Sequence, residues 1–203
     1  MRSVVVVAGG RSTRFGEADK AVADLAGTPM IRRVADRLLD VCDELVVNCR
    51  ADQREAIGTA LADYPLPVRY ALDAEADRGP MAGIMVGLRE ARGAYAAVVA
   101  CDMPFVDAGF LEHLFDCATG HDAAVPRPDE WFQTTQAVYR ADAMAAACER
   151  ALERGETKIL APLEDLDWVV VDDRRVRAAA EAGTFRNVNT VAELNAAAAE
   201  FGE

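Results

Sequence analysis

Lysine is almost missing from this 203-residue chain: Lys20 and Lys158 are the only two, and every other basic side chain is arginine apart from two histidines. Positive charge is scarce altogether, with 22 Lys and Arg against 34 Asp and Glu and a formal charge of −12. Such a surface repels nucleic acid and anionic membranes, so neither is expected as a partner, and any phosphate-bearing ligand has to be met by local cations. An acidic, lysine-poor composition suggests a high-salt cytoplasm, where the charge is screened, or a GC-rich genome. The five cysteines are odd in number and form no CxxC pair, which argues against a disulfide framework or a zinc site and for reduced thiols in a cytoplasm. His113 and His121 adjoin no Ser or Cys motif, and no Gly-x-Ser-x-Gly occurs, so a nucleophilic hydrolase has no triad to use. Long apolar runs are absent too. The longest, Val4 to Ala8 and Ala96 to Cys101, are strand-sized, and Met1 leads straight into a strand without a signal-peptide pattern, so neither secretion nor a membrane span is expected. Aromatics supply 6% of residues and hydrophobic side chains 52%, which predicts one domain over residues 1–203 with an aliphatic core.

What is present is a regular alternation. Residues 3–8 form a β-branched run without polar interruption, the pattern of a strand buried on both faces of a parallel sheet. Thr28-Pro29 reads as an N-cap with proline at the first helical position, followed by Met30, Val34, Leu38 and Val41 at helical spacing. A strand at 45–48, a helix at 51–62, a strand at 68–72, a helix at about 81–92, the strand Tyr95 to Cys101 and a helix from about Asp107 to Cys117 continue the series. From residue 122 strands at 123–126 and 133–139 surround a Pro-Arg-Pro-Asp-Glu-Trp loop, which predicts an antiparallel element, followed by a helix at 141–154 and a strand at 168–171. Thr190-Val-Ala-Glu193 is a capping box opening the last helix. The pattern predicts an α/β fold with a mostly parallel sheet.

Chemistry-bearing residues gather where this pattern puts the carboxyl ends of strands, the edge at which open α/β sheets bind ligands. Val7-Ala8-Gly9-Gly10-Arg11-Ser12-Thr13-Arg14-Phe15-Gly16, with Asp19-Lys20 close behind, follows the first strand. It matches neither a P-loop nor the dinucleotide fingerprint. Three cations (Arg11, Arg14, Lys20) around a glycine loop on so acidic a protein nevertheless suit a polyphosphate, whose oxygens the backbone N–H groups can approach. Asp102 follows the fourth long strand and is read either as a Mg²⁺ carboxylate or as a helix cap, with Asp107 the better placed cap. Asn48 and Asp73 end the second and third strands and offer acceptors to the donors of a base edge or a ribose, or else form ordinary turns. Asn187 and Asn189, two apart in an extended segment, either touch a metal shell or an acceptor phosphate or simply precede the cap.

The glycine loop with Asp19-Lys20, then Gly79-Pro80-Met81-Ala82-Gly83, Cys101-Asp102-Met103-Pro104-Phe105 and Asn187-Val188-Asn189-Thr190, all in this order, resemble the molybdenum cofactor guanylyltransferases from the first strand to the last helix. The resemblance implies a Rossmann-like, three-layer α/β/α nucleotidyltransferase fold of the glycosyltransferase-A type and transfer of GMP from GTP to molybdopterin, releasing pyrophosphate. By position it implies backbone contacts to GTP from Val7, Ala8 and Gly9, further GTP contacts from Lys20, Asn48 and Asp73, and an Asp102 that meets both GTP and Mg²⁺; Gly10, Asn187 and Asn189 join them as candidate binding residues. Catalysis falls to Lys20, Arg14 and Asp102. Partners implied are GTP, molybdopterin and the proteins that insert molybdenum and mature molybdoenzymes. Sister activities, molybdopterin cytidylyltransfer or guanylyltransfer to cobinamide phosphate, and a non-catalytic GTP-binding module are the alternatives. Trp131 is expected to be a packed aromatic rather than a pterin contact, and Asp102→Ala is expected to abolish transfer with little loss of folding.

Overall fold

The structure is a computed structural model that describes residues 1–10, 19–73 and 79–202. Seven strands form one sheet: β1 (Arg2–Val7), β4 (Glu44–Cys49), β5 (Val68–Leu72), β6 (Tyr95–Ala100), β7 (Ala123–Arg127), β8 (Gln136–Arg140) and β9 (Trp168–Asp172), in the order β5-β4-β1-β6-β8-β7-β9. The first four are mutually parallel, β8 is antiparallel to both β6 and β7, and β9 is parallel to β7. The expected antiparallel element is thus β8, a single reversed strand in a mostly parallel sheet.

Alternation of side chains along the strands builds two cores, one on each face. Val4 and Val6 of β1 with Ala97 and Val99 of β6 pack toward α1 (Met30–Arg37), α2 (Arg54–Ala60) and α4 (Ala108–Ala118). Val5, Ala96 and Val98 pack toward α3 (Pro80–Glu90) and α5 (Ala141–Glu153) on the other face. That is the three-layer α/β/α arrangement. Each fully buried valine contributes about 1.5–3 kcal/mol, so strands without a polar residue are stable only with helices on both sides. Two further helices, α6 (Asp173–Ala179) and α7 (Val191–Phe201), complete the described chain. No helix among the described residues is long and apolar enough to cross a membrane.

The start of the first helix differs from the expectation. Thr28–Pro29 forms a short strand, β3, paired antiparallel with β2 (Asp24–Leu25) across a two-residue turn in which Ala26 and Gly27 both have positive φ, 53° and 79°. Two positive φ values give the turn the twist that a tight hairpin needs. Proline then serves as the N-cap residue without a side-chain cap, and Thr28 caps nothing. The helix ends at Arg37, and Val41 is buried in the following turn rather than on a continuing helix. The hairpin supplies Leu25, which with Met30 packs against Val188 and Ala197, so the C-terminal helix α7 closes on this corner. Helix α6 and the shortening of β8, which starts at Gln136 rather than Gln133, were not legible in the sequence pattern.

Candidate active site

Register fixes where the chemistry collects. Val7 of β1 lies opposite Asn48 of β4 and Ala100 of β6, and Cys49 lies opposite Leu72 of β5. Gly9, Asn48, Asp73 and Asp102 therefore share one edge of the sheet, as the sequence predicts.

At the centre of that edge stands an ion pair. Lys20 Nζ donates to Asp102 Oδ2 at 2.5 Å and to Asn189 Oδ1 at 2.8 Å, joining positions 82 and 169 residues away in the chain. Lys20 is 8% exposed, a notable burial for one of only two lysines. It belongs to a short 3-10 turn, Lys20–Val22, whose N-cap is Asp19: Asp19 Oδ1 accepts from Ala21 N at 3.0 Å. Asp102 is not a helix cap, because Asp107 takes that position on α4 and accepts from Phe110 N at 3.2 Å. Asp102 O accepts instead from Val188 N at 2.8 Å, which seats the segment carrying Asn189 beside the carboxylate. Thr190 and Glu193 complete the predicted capping box, and Glu193 Oε2 accepts from Asn189 N and Thr190 N at 2.6 and 2.9 Å. Those backbone donors, Asn189 N foremost, hold the Glu193 carboxyl below its ordinary range, so it stays ionised. Asn187, by contrast, is exposed and takes no part in the Lys20 cluster.

The other oxygen of Asp102, Oδ1, is buried and has no hydrogen-bond partner among the described residues. An orphaned buried acceptor costs about 1–3 kcal/mol, a cost that a donor or a cation brought by a ligand would remove. No group of three or more His, Cys, Asp or Glu that could hold a metal occurs among the described residues. A lone carboxylate oxygen suits Mg²⁺, which keeps most of its waters and takes one or two carboxylates together with substrate phosphates. The residues present fit that ion.

Asn48 is fully buried, and its Nδ2 donates to Ala71 O at 3.1 Å and to Asp73 Oδ1 at 2.7 Å. Asp73 is thus held at the edge by the strand next to it. Two glycines make room for this arrangement. A Cβ on Gly9 would collide with Asp73 Oδ2, and a Cβ on Gly83, in the Gly-Pro-Met-Ala-Gly helix start, would collide with Asn48 Oδ1. Gly83→Ala is expected to displace Asn48, lower stability by about 1–3 kcal/mol through overpacking and weaken nucleotide binding. Melting temperature and nucleotide affinity equal to those of the unaltered protein would contradict that account.

Val7 O accepts from Cys101 N at 3.1 Å, and Ala8 N donates to Asn48 O at 2.8 Å, so the first residues of the glycine loop are anchored to the flanking strands. Gly10 is exposed. Arg11 and Arg14 lie outside the described residues. Sequence reasoning missed two side chains that touch this loop, Arg50 and Gln53, because nothing in a short Arg-Ala-Asp-Gln stretch after a strand marks them. Burial pushes the neighbouring Cys49 thiol up to about 11 and raises the Cys101 thiol further, so neither supplies a nucleophile at neutral pH. The expectation for Trp131 is overturned: the ring is 69% exposed, in the loop after β7 at the same edge of the sheet, while Phe132 packs edge-on to Trp168.

The chain that builds this sheet edge is similar to proteins of one family. Residues 4–167 match the model of the MobA-like NTP transferase domain. A probable molybdenum cofactor guanylyltransferase from Natronomonas pharaonis is 50% identical over 97% of this chain and 96% of its own length. Its counterpart in Haloferax mediterranei is 40% identical over 96% and 92%. The crystal structure of molybdopterin-guanine dinucleotide biosynthesis protein A from Archaeoglobus fulgidus superposes with a TM-score of 0.80 at 30% identity, covering 100% of this chain and 99% of that one. Likeness of this extent in sequence and fold makes the chain a member of the molybdenum cofactor guanylyltransferase family of MobA-like NTP transferases.

Proposed function

We propose that this protein transfers the GMP moiety of GTP to molybdopterin, forming molybdopterin guanine dinucleotide and releasing pyrophosphate. The observation that carries the reading is the buried Lys20–Asp102–Asn189 cluster at the sheet edge, within a chain whose relatives bear that name. A terminal phosphate oxygen of the acceptor attacks the α-phosphorus of GTP, and the bond from that phosphorus to the oxygen bridging to the β-phosphate breaks, its electrons leaving on pyrophosphate. The acceptor phosphate is already ionised at neutral pH, so no general base is needed, in keeping with a site whose described residues include no histidine.

The chain's own contribution is positioning and charge. Val7, Ala8, Gly9 and Gly10 present backbone to the nucleotide, and Asp73, held by Asn48, faces the donors of the base or ribose. Lys20 neutralises phosphate charge in a site largely shielded from water, where a fixed ammonium is worth more than in solvent. Arg14 is assigned the second cation and Asn189 the acceptor side, while the exposed Asn187 is left without a role. Asp102, through Oδ1, would hold Mg²⁺. The ion would supply neutralisation of charge on the nucleotide phosphates. Residues 1–203 act as one nucleotidyltransferase domain in the cytoplasm, receiving and passing on cofactor among proteins that insert molybdenum and mature molybdoenzymes.

The test is pyrophosphate release from GTP, CTP and ATP in turn, in high-salt buffer with Mg²⁺, with and without molybdopterin. Release from GTP that depends on molybdopterin is the expected result. Release from CTP would reassign the nucleotide, and GTP turnover only with cobinamide phosphate would reassign the acceptor. GTP binding without pyrophosphate release from any pair would leave a binding module.

A further inference from the structure

Three consecutive carbonyls of the glycine loop are taken by two side chains of the turn after β4. Gln53 Nε2 donates to Ala8 O at 3.0 Å, and one guanidinium nitrogen of Arg50 donates to Gly9 O at 3.1 Å and Gly10 O at 3.0 Å. Each partner is itself fixed. Gln53 is 2% exposed, and its Oε1 accepts from Arg50 N at 2.9 Å. Asp52 accepts from Nε and the other terminal nitrogen of Arg50 at 3.0 and 3.3 Å. That second nitrogen also lies 3.8 Å from Asp19 Oδ2, and Asp19 caps the turn that carries Lys20. Arg50 thereby touches the chain on both sides of residues 11–18.

The peptide plane turns this into a statement about the ligand. In a trans peptide the N–H of one residue points opposite to the C=O of the residue before it. With Ala8 O and Gly9 O directed at Gln53 and Arg50, the N–H groups of Gly9 and Gly10 are directed away from them. Neither N–H donates to another described residue. Backbone donors so aimed are what an anion at such a loop requires, and no other described side chain sets their direction.

We propose that Arg50 and Gln53 are positioning residues for nucleotide binding, a clamp that holds the loop carbonyls back so that the Gly9 and Gly10 N–H groups face the nucleotide, with Asp19 and Lys20 kept in register by the same guanidinium. The proposal rests on the guanylyltransferase reading for the identity of the nucleotide. Because the loop contacts bound nucleotide and transition state alike, losing the clamp raises KM rather than lowering kcat.

The variants are Arg50→Ala, Arg50→Lys and Gln53→Met, each measured with Mg²⁺, molybdopterin and varied GTP. Arg50→Ala and Gln53→Met are expected to raise the KM for GTP roughly tenfold or more, the scale at which small misplacements act, with kcat at saturation near that of the unaltered protein. Arg50→Lys recovers part of the loss, since an ammonium still reaches a carbonyl. Protection of the Gly9 and Gly10 amides from hydrogen exchange by bound GTP is expected to be largely lost in Arg50→Ala, a readout that needs no turnover. Unchanged KM in Arg50→Ala overturns the clamp. So does a loss that tracks a fall in melting temperature with no recovery by lysine. If Gln53→Met does not fold, the Arg50 pair decides. Failure of the unaltered protein to use GTP counts against the guanylyltransferase reading instead, and the same ratio of variant to unaltered KM is then taken with whichever nucleotide it does use.

Discussion

Asp102→Asn is expected to abolish pyrophosphate release while the protein remains folded. The amide keeps an oxygen for the Lys20 ammonium and the shape of the side chain, but it removes the charge that Oδ1 offers a cation. Loss of transfer by several orders of magnitude is expected, because metal-assisted neutralisation of phosphate charge is worth several kcal/mol in the transition state. The alanine variant is a poorer test than the sequence alone suggests. Lys20 and Asp102 side chains are only 10% and 16% exposed, so Asp102→Ala takes the carboxylate away from a buried ammonium that still donates to Asn189. Removing one member of a buried pair costs about 3–5 kcal/mol, and the expected small loss of folding becomes a substantial one. Circular dichroism and a thermal melt beside the turnover assay separate the two effects. Near-normal turnover by folded Asp102→Asn would sink the assignment of this carboxylate.

Lys20→Met is expected to lower kcat/KM for GTP by about 10²–10³-fold, the range seen when one preorganised donor is taken from developing transition-state charge. Methionine keeps the length and apolar stem of the side chain, so packing in the 3-10 turn survives, but the unpaired Asp102 carboxylate lowers stability by about 3–5 kcal/mol and a thermal melt accompanies the assay. What is lost is the charge, and with it the partner of Asp102 Oδ2. Arginine is not a neutral replacement, since a planar fork in a space shaped for an ammonium meets Asp102 and Asn189 in a different geometry. The effect is measured as kcat and KM separately: Lys20 acts on developing charge, so kcat falls, whereas the Arg50 clamp shows in KM. A Lys20→Met variant with undiminished kcat would remove the lysine from the chemistry and leave it a structural counter-ion.

Much of this candidate site is legible in the sequence. Gly9 and Gly10 follow a strand that could only be buried on both faces, Asp102 follows another, and Asp107 was the better cap, as it proves to be. The capping box at Thr190 and Glu193 stands where the pattern put it. Thr28 departs from its expected role because a Thr-Pro pair before a helical period has the same local signature whether it caps the helix or ends a hairpin, and the choice is made by pairing with Asp24 and Leu25. Trp131 departs from expectation because an aromatic side chain is by composition a core residue, and only the path of the loop after β7 leaves it 69% exposed.

The sequence by itself determined the layers, the loop and the identity of the charged residues, since hydrophobic period, glycine placement and caps act over a few neighbouring positions. It could not join Lys20 to Asp102 and Asn189, nor set Arg50 and Gln53 against the carbonyls of Ala8, Gly9 and Gly10. Those contacts depend on strand order and register, which place β4 and β6 on either side of β1 and bring the segment before α7 back across the sheet edge. Hydrogen bonds between residues tens to more than a hundred positions apart leave no periodic trace in the chain, and only the folded backbone brings their donors and acceptors within reach.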